Sequence, residues 1–151
     1  MASVTPRDAP AATHGTVLAF DFGTRAIGVA VGNTVVRVAH ELATIAHDAN
    51  APRFAAIDAL LAEWAPDQLV VGRPLAENGT GSEMTARADR FVRQLESRYR
   101  LPVARVDERY TTRAAASALT EAGVRGRARA AALDEGAARV ILQSWFDAGE
   151  H

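Results

Sequence analysis

The sequence predicts an α/β fold in which a mixed five-stranded sheet carries helices on both faces. Three apolar runs follow one another closely between residues 17 and 45. Apolar residues then recur at helical spacing over residues 54–64, 84–99 and 133–148, and two further apolar runs, 69–71 and 102–106, alternate with these stretches. Strands with short connections pair as antiparallel neighbours, whereas strands separated by a helix can lie parallel.

Length and composition favour one compact domain. The chain has 151 residues, 48% of them hydrophobic, which is enough for a substantial core. Residues 1–15 show no apolar period and are predicted to be a disordered leader, followed by a single domain over residues 16–149. No apolar run reaches the roughly 18 residues of a membrane span, and no secretion signal is evident, so we expect a cytoplasmic protein without a membrane partner.

The charged residues exclude several chemistries. All 17 basic residues are arginine, cysteine is absent and the net charge is -1. A disulfide scaffold, a thiolate zinc site, a cysteine nucleophile and lysine-based chemistry are therefore excluded. The net charge, which is close to zero, also argues against tight, sequence-independent binding of nucleic acids.

The first three elements are predicted strands. Residues 17–20 form a short run before Asp21, and residues 27–31 follow a turn at residues 23–25. The third strand is predicted over residues 35–45, and its polar residues place it at an edge of the sheet.

Helices and strands then alternate. Asn50 and Pro52 are placed to begin the first helix, and the strand at residues 69–71 follows it. Ser82 is the predicted N-cap of the second helix. After the strand at residues 102–106, we expect a short helix capped by Thr111 or Thr112. A loop carrying Arg125, Arg127 and Arg129 would then precede a last helix over residues 133–148.

Acidic residues occur at the ends of three of these elements. Asp21 ends the first strand, Asp107 and Glu108 end the fifth, and Asp134 opens the last helix. Asp134 shares a helical stripe with Ala138, Ile141 and Trp145, the stripe expected to face the sheet. Each acid also has a plainer interpretation: a turn aspartate, a solvated charge cluster, and a helix N-terminal acid favoured by the macrodipole.

Taken together, the acids favour a metal site. Clustered carboxylates repel one another unless a cation neutralises them. Because the chain has no cysteine and its four histidines are scattered, an all-oxygen site for Mg²⁺ or Mn²⁺ is more consistent than a zinc site. Two such ions can activate a water and stabilise the leaving oxygen in phosphodiester hydrolysis.

Four motifs follow one another along the chain. They are Asp21-Phe22-Gly23-Thr24-Arg25-Ala26-Ile27-Gly28-Val29-Ala30, Val71-Gly72-Arg73-Pro74-Leu75 with Gly79, Asp107-Glu108-Arg109-Tyr110-Thr111-Thr112, and the stretch from Leu133-Asp134-Glu135-Gly136 to Gln143. In this order they resemble the YqgF family of RNase H-like proteins, also called RuvX, whose members are named as Holliday-junction resolvases or pre-16S rRNA nucleases. The resemblance covers about residues 16–149.

The resemblance implies an RNase H-like sheet and an acidic, metal-binding catalytic site formed by Asp21, Glu108 and Asp134. We favour Glu108 as the ligand, with Asp107 as an alternative or a supporting residue, because spacing does not settle which of the two points inward. Asp21 would bridge two ions, and the other acids would hold one each.

Arginines near these motifs are candidate contacts to nucleic-acid phosphates, or else exposed loop residues without partners. They are Arg25, Arg109, Arg125, Arg127 and Arg129. Where the family usually has Arg at position 26 and Ser-Asp at 32 and 33, this chain has Ala26, Gly32 and Asn33. A fourth acid at position 33 is therefore absent, and Arg25 could supply the charge missing at 26.

The leading functional hypothesis is a metal-dependent nuclease, a hydrolase of ester bonds that processes the 5′ end of pre-16S rRNA in ribosome biogenesis. A Holliday junction resolvase, which cuts branched DNA as a two-fold dimer, is the alternative. A non-catalytic nucleic-acid or transcription-related binding module is a third hypothesis. The expected partner is thus structured RNA or branched DNA, and the protein would be a monomer or a homodimer.

Overall fold

A computed structural model of the chain describes residues 15–46, 48–74, 81–107 and 126–148, with side chains in the last helix described from residue 136 onward. The elements in chain order are β1 (Thr16–Phe22), β2 (Ile27–Asn33), β3 (His40–Ile45), α1 (Asn50–Trp64), β4 (Gln68–Arg73), α2 (Glu83–Tyr99), β5 (Val103–Asp107) and α3 (Gly126–Asp147). The predicted leader, apart from Gly15, and the predicted short helix after Thr111 lie outside the described residues.

The five strands form one mixed sheet in the order β3-β2-β1-β4-β5. β1 pairs antiparallel with β2, and β2 pairs antiparallel with β3. β4 lies parallel to β1 on its other side, and β5 lies parallel to β4. The predicted mixed sheet is therefore confirmed, with β1 at its centre and β3 at one edge.

Alternating residues of β1 divide the core between the two faces of the sheet. Leu18 and Phe20 belong to a cluster that includes Phe54 of α1 and Phe91 of α2. The rings of Phe20 and Phe91 meet edge-on, with centroids 5.8 Å apart. α1 and α2 thus cover one face together, and α3 covers the other, which confirms helices on both faces.

The layer between the sheet and α3 is built largely from small side chains. Its buried members are Val17, Ala19, Ala30, Ala39, Val70, Ala138, Ile141, Leu142 and Phe146. A Cβ built on Gly32 of β2 would lie 2.7 Å from the Cε2 atom of Phe146. Glycine and alanine at these positions therefore allow α3 to lie close against β1 and β2.

The start of the third strand was predicted wrongly. β3 begins at His40 rather than at residue 35, because the Asn33 side chain turns the chain first. Asn33 Oδ1 accepts the backbone N–H of Val35 at 3.0 Å and that of Val36 at 2.8 Å. The turn leaves Val35 and Val36 61% and 64% exposed instead of paired in the sheet.

The start of the last helix was also predicted wrongly. α3 begins at Gly126, so Arg127 and Arg129 lie in its first turns and not in a loop, while Arg125 lies outside the described residues. Arginine and alanine are strong helix formers even without an apolar period. Asp134 consequently lies more than two turns inside α3, beyond the reach of the macrodipole at the helix start.

The predicted cap of α2 is confirmed. Ser82 Oγ accepts the Thr85 N–H at 3.3 Å, and Thr85 Oγ1 accepts the Ser82 N–H at 2.9 Å, which is a complete capping box. The Thr85 hydroxyl also donates to the carbonyl of Pro74, just after β4. The start of α2 is thereby fixed to the carboxyl end of β4.

Within the ranges described above, no helix combines the length and the apolar character that crossing a membrane requires.

Candidate active site

Asp21 lies at the carboxyl end of the central strand, on the face that α3 covers. It is the second-to-last residue of β1 and shares its face with Val17 and Ala19. Gly28 pairs with it directly across β2. On β4, Gly72 follows Val71, the partner of Phe20, so a second glycine lies on the other side of Asp21. The residues directly opposite this half-buried aspartate on both neighbouring strands are therefore glycines.

α3 runs antiparallel to β1, with its N-terminal part toward the Asp21 end of the sheet. At its C-terminal part, Gln143 Oε1 accepts the Ala39 N–H at 3.0 Å, and Phe146 lies against Gly32. Gly32 pairs with Val17, near the start of β1. The C-terminal part of α3 therefore lies at the start of β1, and the preceding turns of the helix lie progressively closer to the carboxyl end of β1.

The helical stripe predicted to face the sheet is confirmed. Ala138 and Ile141 are fully buried in the α3 layer, and Trp145 packs against it. Asp134 precedes Ala138 by four residues, which places its backbone on the same side of the helix one turn closer to the N-terminus. The side chain of Asp134 lies outside the described part of α3.

Asp107 lies on the face of the sheet opposite to Asp21. It is the last residue of β5 and pairs with Arg73 of β4. Its neighbour Val106 packs into the α3 layer, so alternation along the strand turns Asp107 toward α2. There it lines a cleft of about 450 Å³ together with Arg73, Asp89, Arg93 and Arg105. The structure does not bring Asp107 and Asp21 together.

A carboxylate of α2 ties the ends of β4 and β5 to that helix. Arg73 Nε lies 3.0 Å from Asp89 Oδ1, and Arg105 Nε lies 3.3 Å from the same oxygen. The hydrogen bond from Arg73 holds the pKa of Asp89 below its usual value. The same bond, with a smaller contribution from the charge of Asp107, raises the pKa of Arg73. Sequence reasoning missed Asp89, because nothing in its spacing signals contact with two strands.

A buried arginine holds the turn that follows Asp21. Arg53 of α1 is 5% exposed, and its Nη2 donates to the carbonyls of Gly23 at 2.6 Å and Thr24 at 2.5 Å. Its guanidinium lies 5.2 Å from the centroid of the Phe22 ring. Burial lowers the pKa of Arg53, and the charge of Asp48 opposes that shift. Through these two hydrogen bonds Arg53 attaches the β1–β2 turn to α1.

Glycine is required within that turn. A Cβ on Gly23 would lie 2.6 Å from the carbonyl oxygen of Ala26, closer than real contacts allow. Sequence reasoning also missed Arg53, although one signal was available. Arg53 lies four residues before Ile57, so it is a charged residue on the apolar stripe of α1.

The remaining predicted site residues are only partly described. Arg25 is exposed in the β1–β2 turn, at the same edge of the sheet as Asp21. Glu108, Arg109 and Arg125 lie outside the described residues, as do the side chains of Arg127 and Arg129. Across the side chains that the structure does describe, no three acidic or histidine groups gather closely enough to hold a metal ion.

Comparison with known proteins gives consistent matches along nearly the whole chain. The family described as "RuvX: Holliday junction resolvase" matches residues 15–148. A Burkholderia lata protein named "Putative pre-16S rRNA nuclease" is 50% identical over 147 residues, which cover 97% of this chain and 95% of the relative. A Nitrosomonas europaea protein of the same name is 50% identical over 140 residues, covering 93% and 95%.

A solved structure is similar in fold. T. thermophilus RuvC, determined in complex with a Holliday junction substrate, matches with a TM-score of 0.53 and 18% identity. The match covers 89% of this chain and 95% of that one. At this identity the likeness concerns the fold alone, which is the RNase H-like fold that the sequence motifs predicted.

Proposed function

The chain belongs to the RuvX family, and we propose that it is a cytoplasmic, divalent-metal-dependent nuclease that hydrolyses phosphodiester bonds in precursor 16S rRNA. The observation that carries this proposal is the position of Asp21. Its carboxylate lies at the end of the central strand between two glycines, on the face crossed by α3. The rRNA substrate is proposed from the names of the curated relatives.

The level of Asp134 along α3 supports its membership in the same site. Phe146 lies beside Gly32, the partner of Val17. Asp134 precedes Phe146 by twelve residues, or ~18 Å at the rise of an α-helix. Asp21 follows Val17 by four residues, or ~14 Å at the rise of a strand. Measured along β1, the backbones of Asp21 and Asp134 thus lie within about one helical turn of each other, at the same end of the sheet.

The orientation of Asp107 supports Glu108 as the third acid. Asp107 faces α2, on the side of the sheet away from Asp21. Because Asp107 is turned away from Asp21, Glu108, the other acid of the same motif, remains the candidate for the third ligand. We therefore assign Glu108 to the metal site and Asp107 to the ion network of Arg73 and Asp89.

Three carboxylates are suitable ligands for Mg²⁺ or Mn²⁺. Asp21, Glu108 and Asp134 supply only oxygen donors, which these ions prefer, and glycines stand directly opposite Asp21 on both neighbouring strands. When bound, the ions would activate a water and stabilise the leaving oxygen. The protein itself positions Asp21 on a rigid central strand and fixes the adjacent turn through Arg53.

The arginines near the sequence motifs are proposed to hold the phosphates of the substrate, because a guanidinium group can bind two phosphate oxygens at once. They are Arg25, Arg109, Arg125, Arg127 and Arg129.

Cleavage of precursor 16S rRNA by the purified protein in Mg²⁺ or Mn²⁺ tests the proposal. We expect Asp21→Asn to lower the rate on the order of a hundredfold or more, because losing a metal ligand removes several kcal/mol of transition-state stabilisation. Asp147→Asn is the matched control, since Asp147 is exposed at the other end of α3. Cleavage by Asp21→Asn at the wild-type rate would refute the catalytic assignment.

A second candidate is cleavage of four-way DNA junctions, which the description of the family favours. The same preparations should be tested on a synthetic junction, with the oligomeric state measured by sedimentation, because symmetric cuts require a two-fold dimer. Cleavage of the junction by a dimer, with precursor rRNA left intact, would transfer the proposal to DNA. No cleavage of either substrate, together with no heat stabilisation by metal, would favour a non-catalytic binding module.

A further inference from the structure

The outward face of α2 carries exposed arginines on successive turns. Ala88, Phe91 and Leu95 bury the inner face of the helix against the sheet. The surface of the helix outside this buried stripe exposes Arg87, Arg90, Arg93 and Arg98, with Ser97 and the partly buried Gln94 between them. Residues three or four apart on a helix are neighbours, so Arg87, Arg90 and Arg93 adjoin one another, and Arg98 continues the row through Gln94, which lies four residues from both Arg90 and Arg98.

Three shallow clefts that share lining residues follow this row. The first, of about 330 Å³, extends from Thr24 in the β1–β2 turn to Arg87 and Arg90. The second, of about 400 Å³, also includes Arg90 and continues to Arg93 and Arg98. The third, of about 450 Å³, also includes Arg93 and is completed by Asp107 and by Asp89 with its two partners Arg73 and Arg105. We call the surface formed by these three clefts the arginine groove.

Most arginines of the groove have partners among the described residues, whereas two of them form no ion pair there. Arg87 pairs with Glu83 at 2.8 Å. The guanidinium of Arg98 lies 4.1 Å from the centroid of the Phe54 ring. In contrast, among the residues that the structure describes, neither Arg90 nor Arg93 forms an ion pair. Two exposed guanidinium groups on neighbouring turns are therefore available for an anion.

The groove opens at the edge of the sheet where β1 and β4 end. α2 follows β4 and leads to β5, which is parallel to β4, so α2 runs back from this edge. Its first turns lie near the β1–β2 turn, as the shared cleft of Thr24 and Arg87 shows. From Arg87 to Arg98 the row extends ~16 Å along the helix. That length corresponds to about five phosphates along one strand of a duplex, at roughly 3.4 Å each.

We propose that the arginine groove binds the phosphate backbone of a nucleic acid, with Arg90 and Arg93 as its principal contacts. The site lies on the face of the sheet opposite to Asp21 and holds a part of the strand away from the bond that is cut. This inference rests on the proposed nuclease function, because that function supplies a polyanionic substrate. Arginine is suited to the task, since its planar guanidinium binds two phosphate oxygens at once.

Binding without cleavage tests the groove separately from the catalytic proposal. Fluorescence anisotropy should be measured on Asp21→Asn protein, in EDTA, with a labelled RNA hairpin that has a 5′ single-stranded extension and with DNA of the same sequence. The test variant is Arg90→Gln with Arg93→Gln. Its control is Arg37→Gln with Arg100→Gln, which removes two exposed arginines outside the groove.

We expect the test variant to raise Kd on the order of tenfold or more at 0.1 M salt and to reduce the slope of log K against log salt by about 1.4 to 1.8. These values follow from the loss of two phosphate contacts at roughly 0.7 to 0.9 each. The control should keep the Kd and slope of the parent. A loss with both nucleic acids supports a backbone site that accepts either strand, and a loss with RNA alone supports one that is restricted to RNA.

Equal Kd and equal slope in the test and control pairs would overturn the groove while leaving the nuclease proposal intact. Conversely, wild-type cleavage by Asp21→Asn would refute the catalytic site and leave the binding result valid. If the glutamine variant melts at a lower temperature than its parent, Arg90→Lys with Arg93→Lys replaces it. Lysine keeps the charge, so the salt slope should then remain while Kd rises, and an unchanged Kd would count against the paired contacts.

Discussion

Replacing Arg53 by methionine should both destabilise the fold and impair cleavage. The change removes the guanidinium that donates to the carbonyls of Gly23 and Thr24, while the methionine side chain still fills much of the space of the arginine stem. The β1–β2 turn would then lose its attachment to α1. Since Asp21 lies two residues before Gly23, the loss acts directly beside the candidate site.

The magnitude follows from the contacts. A hydrogen bond to a charged group contributes roughly 1.5–3 kcal/mol, and an arginine over an aromatic ring roughly 0.5–2 kcal/mol. Two effects reduce the loss. Thr24 is an exposed residue, so water can partly replace the lost bond, and burial lowers the pKa of Arg53, which means that its charge is costly to bury. We therefore expect the free energy of unfolding to fall by about 2 kcal/mol.

Urea unfolding and rRNA cleavage measure the two effects. The rate should fall on the order of tenfold at a temperature where the variant remains folded, because small displacements near reacting groups are costly. Arg53→Lys should be intermediate, since a single amine does not reproduce the planar fork of arginine. Arg100→Met, which removes an exposed arginine at the end of α2, should leave both quantities unchanged. Wild-type stability in Arg53→Met would show that the turn does not depend on this side chain.

Two further predictions concern packing and charge. Gly32→Ala should lower the free energy of unfolding by about 1–3 kcal/mol in urea, because its Cβ would lie 2.7 Å from the Phe146 ring; an unchanged midpoint would contradict the close packing of α3. The hydrogen bond from Arg73 lowers the pKa of Asp89 in the folded protein. The ionised carboxylate therefore stabilises the fold fully at pH values above the pKa of Asp in the unfolded chain, about 3.9. This stabilisation is lost as the pH falls through the pKa of Asp89 in the folded protein. The difference in stability between wild type and Asp89→Asn should therefore narrow from pH 7 to pH 3, and a constant difference would count against the ion network.

The strands and helices that bury one face could be predicted from apolar periodicity, because burial imposes that periodicity. The prediction failed where another cause determined the backbone. Val35 and Val36 are apolar, yet the side chain of Asn33 bonds their N–H groups and turns the chain away from the sheet. The first turns of α3 consist of arginine and alanine, whose helix propensity leaves no apolar pattern to detect.

The candidate site could be predicted only in part, for a similar reason. Asp21 directly follows an apolar run, so its position at a strand end is visible in the sequence. The face that Asp107 occupies depends on how β5 pairs with β4, and spacing alone does not reveal that register. Arg53 acts through carbonyls about thirty residues away in the chain, and a backbone carbonyl has no signature in a sequence.

Because alanines separate α3 from the sheet, a change at one point of this layer would alter the position of the whole helix. Ala19, Ala30 and Ala138 belong to the same buried cluster. Alanine side chains have no alternative rotamers, so they cannot rearrange to accommodate a larger residue beside them. An added methyl group would move the whole of α3 away from the sheet, because the neighbouring side chains could not rearrange to make room for it. Substitutions in this layer would therefore change the distance between α3 and the Asp21 end of β1 before they unfold the protein.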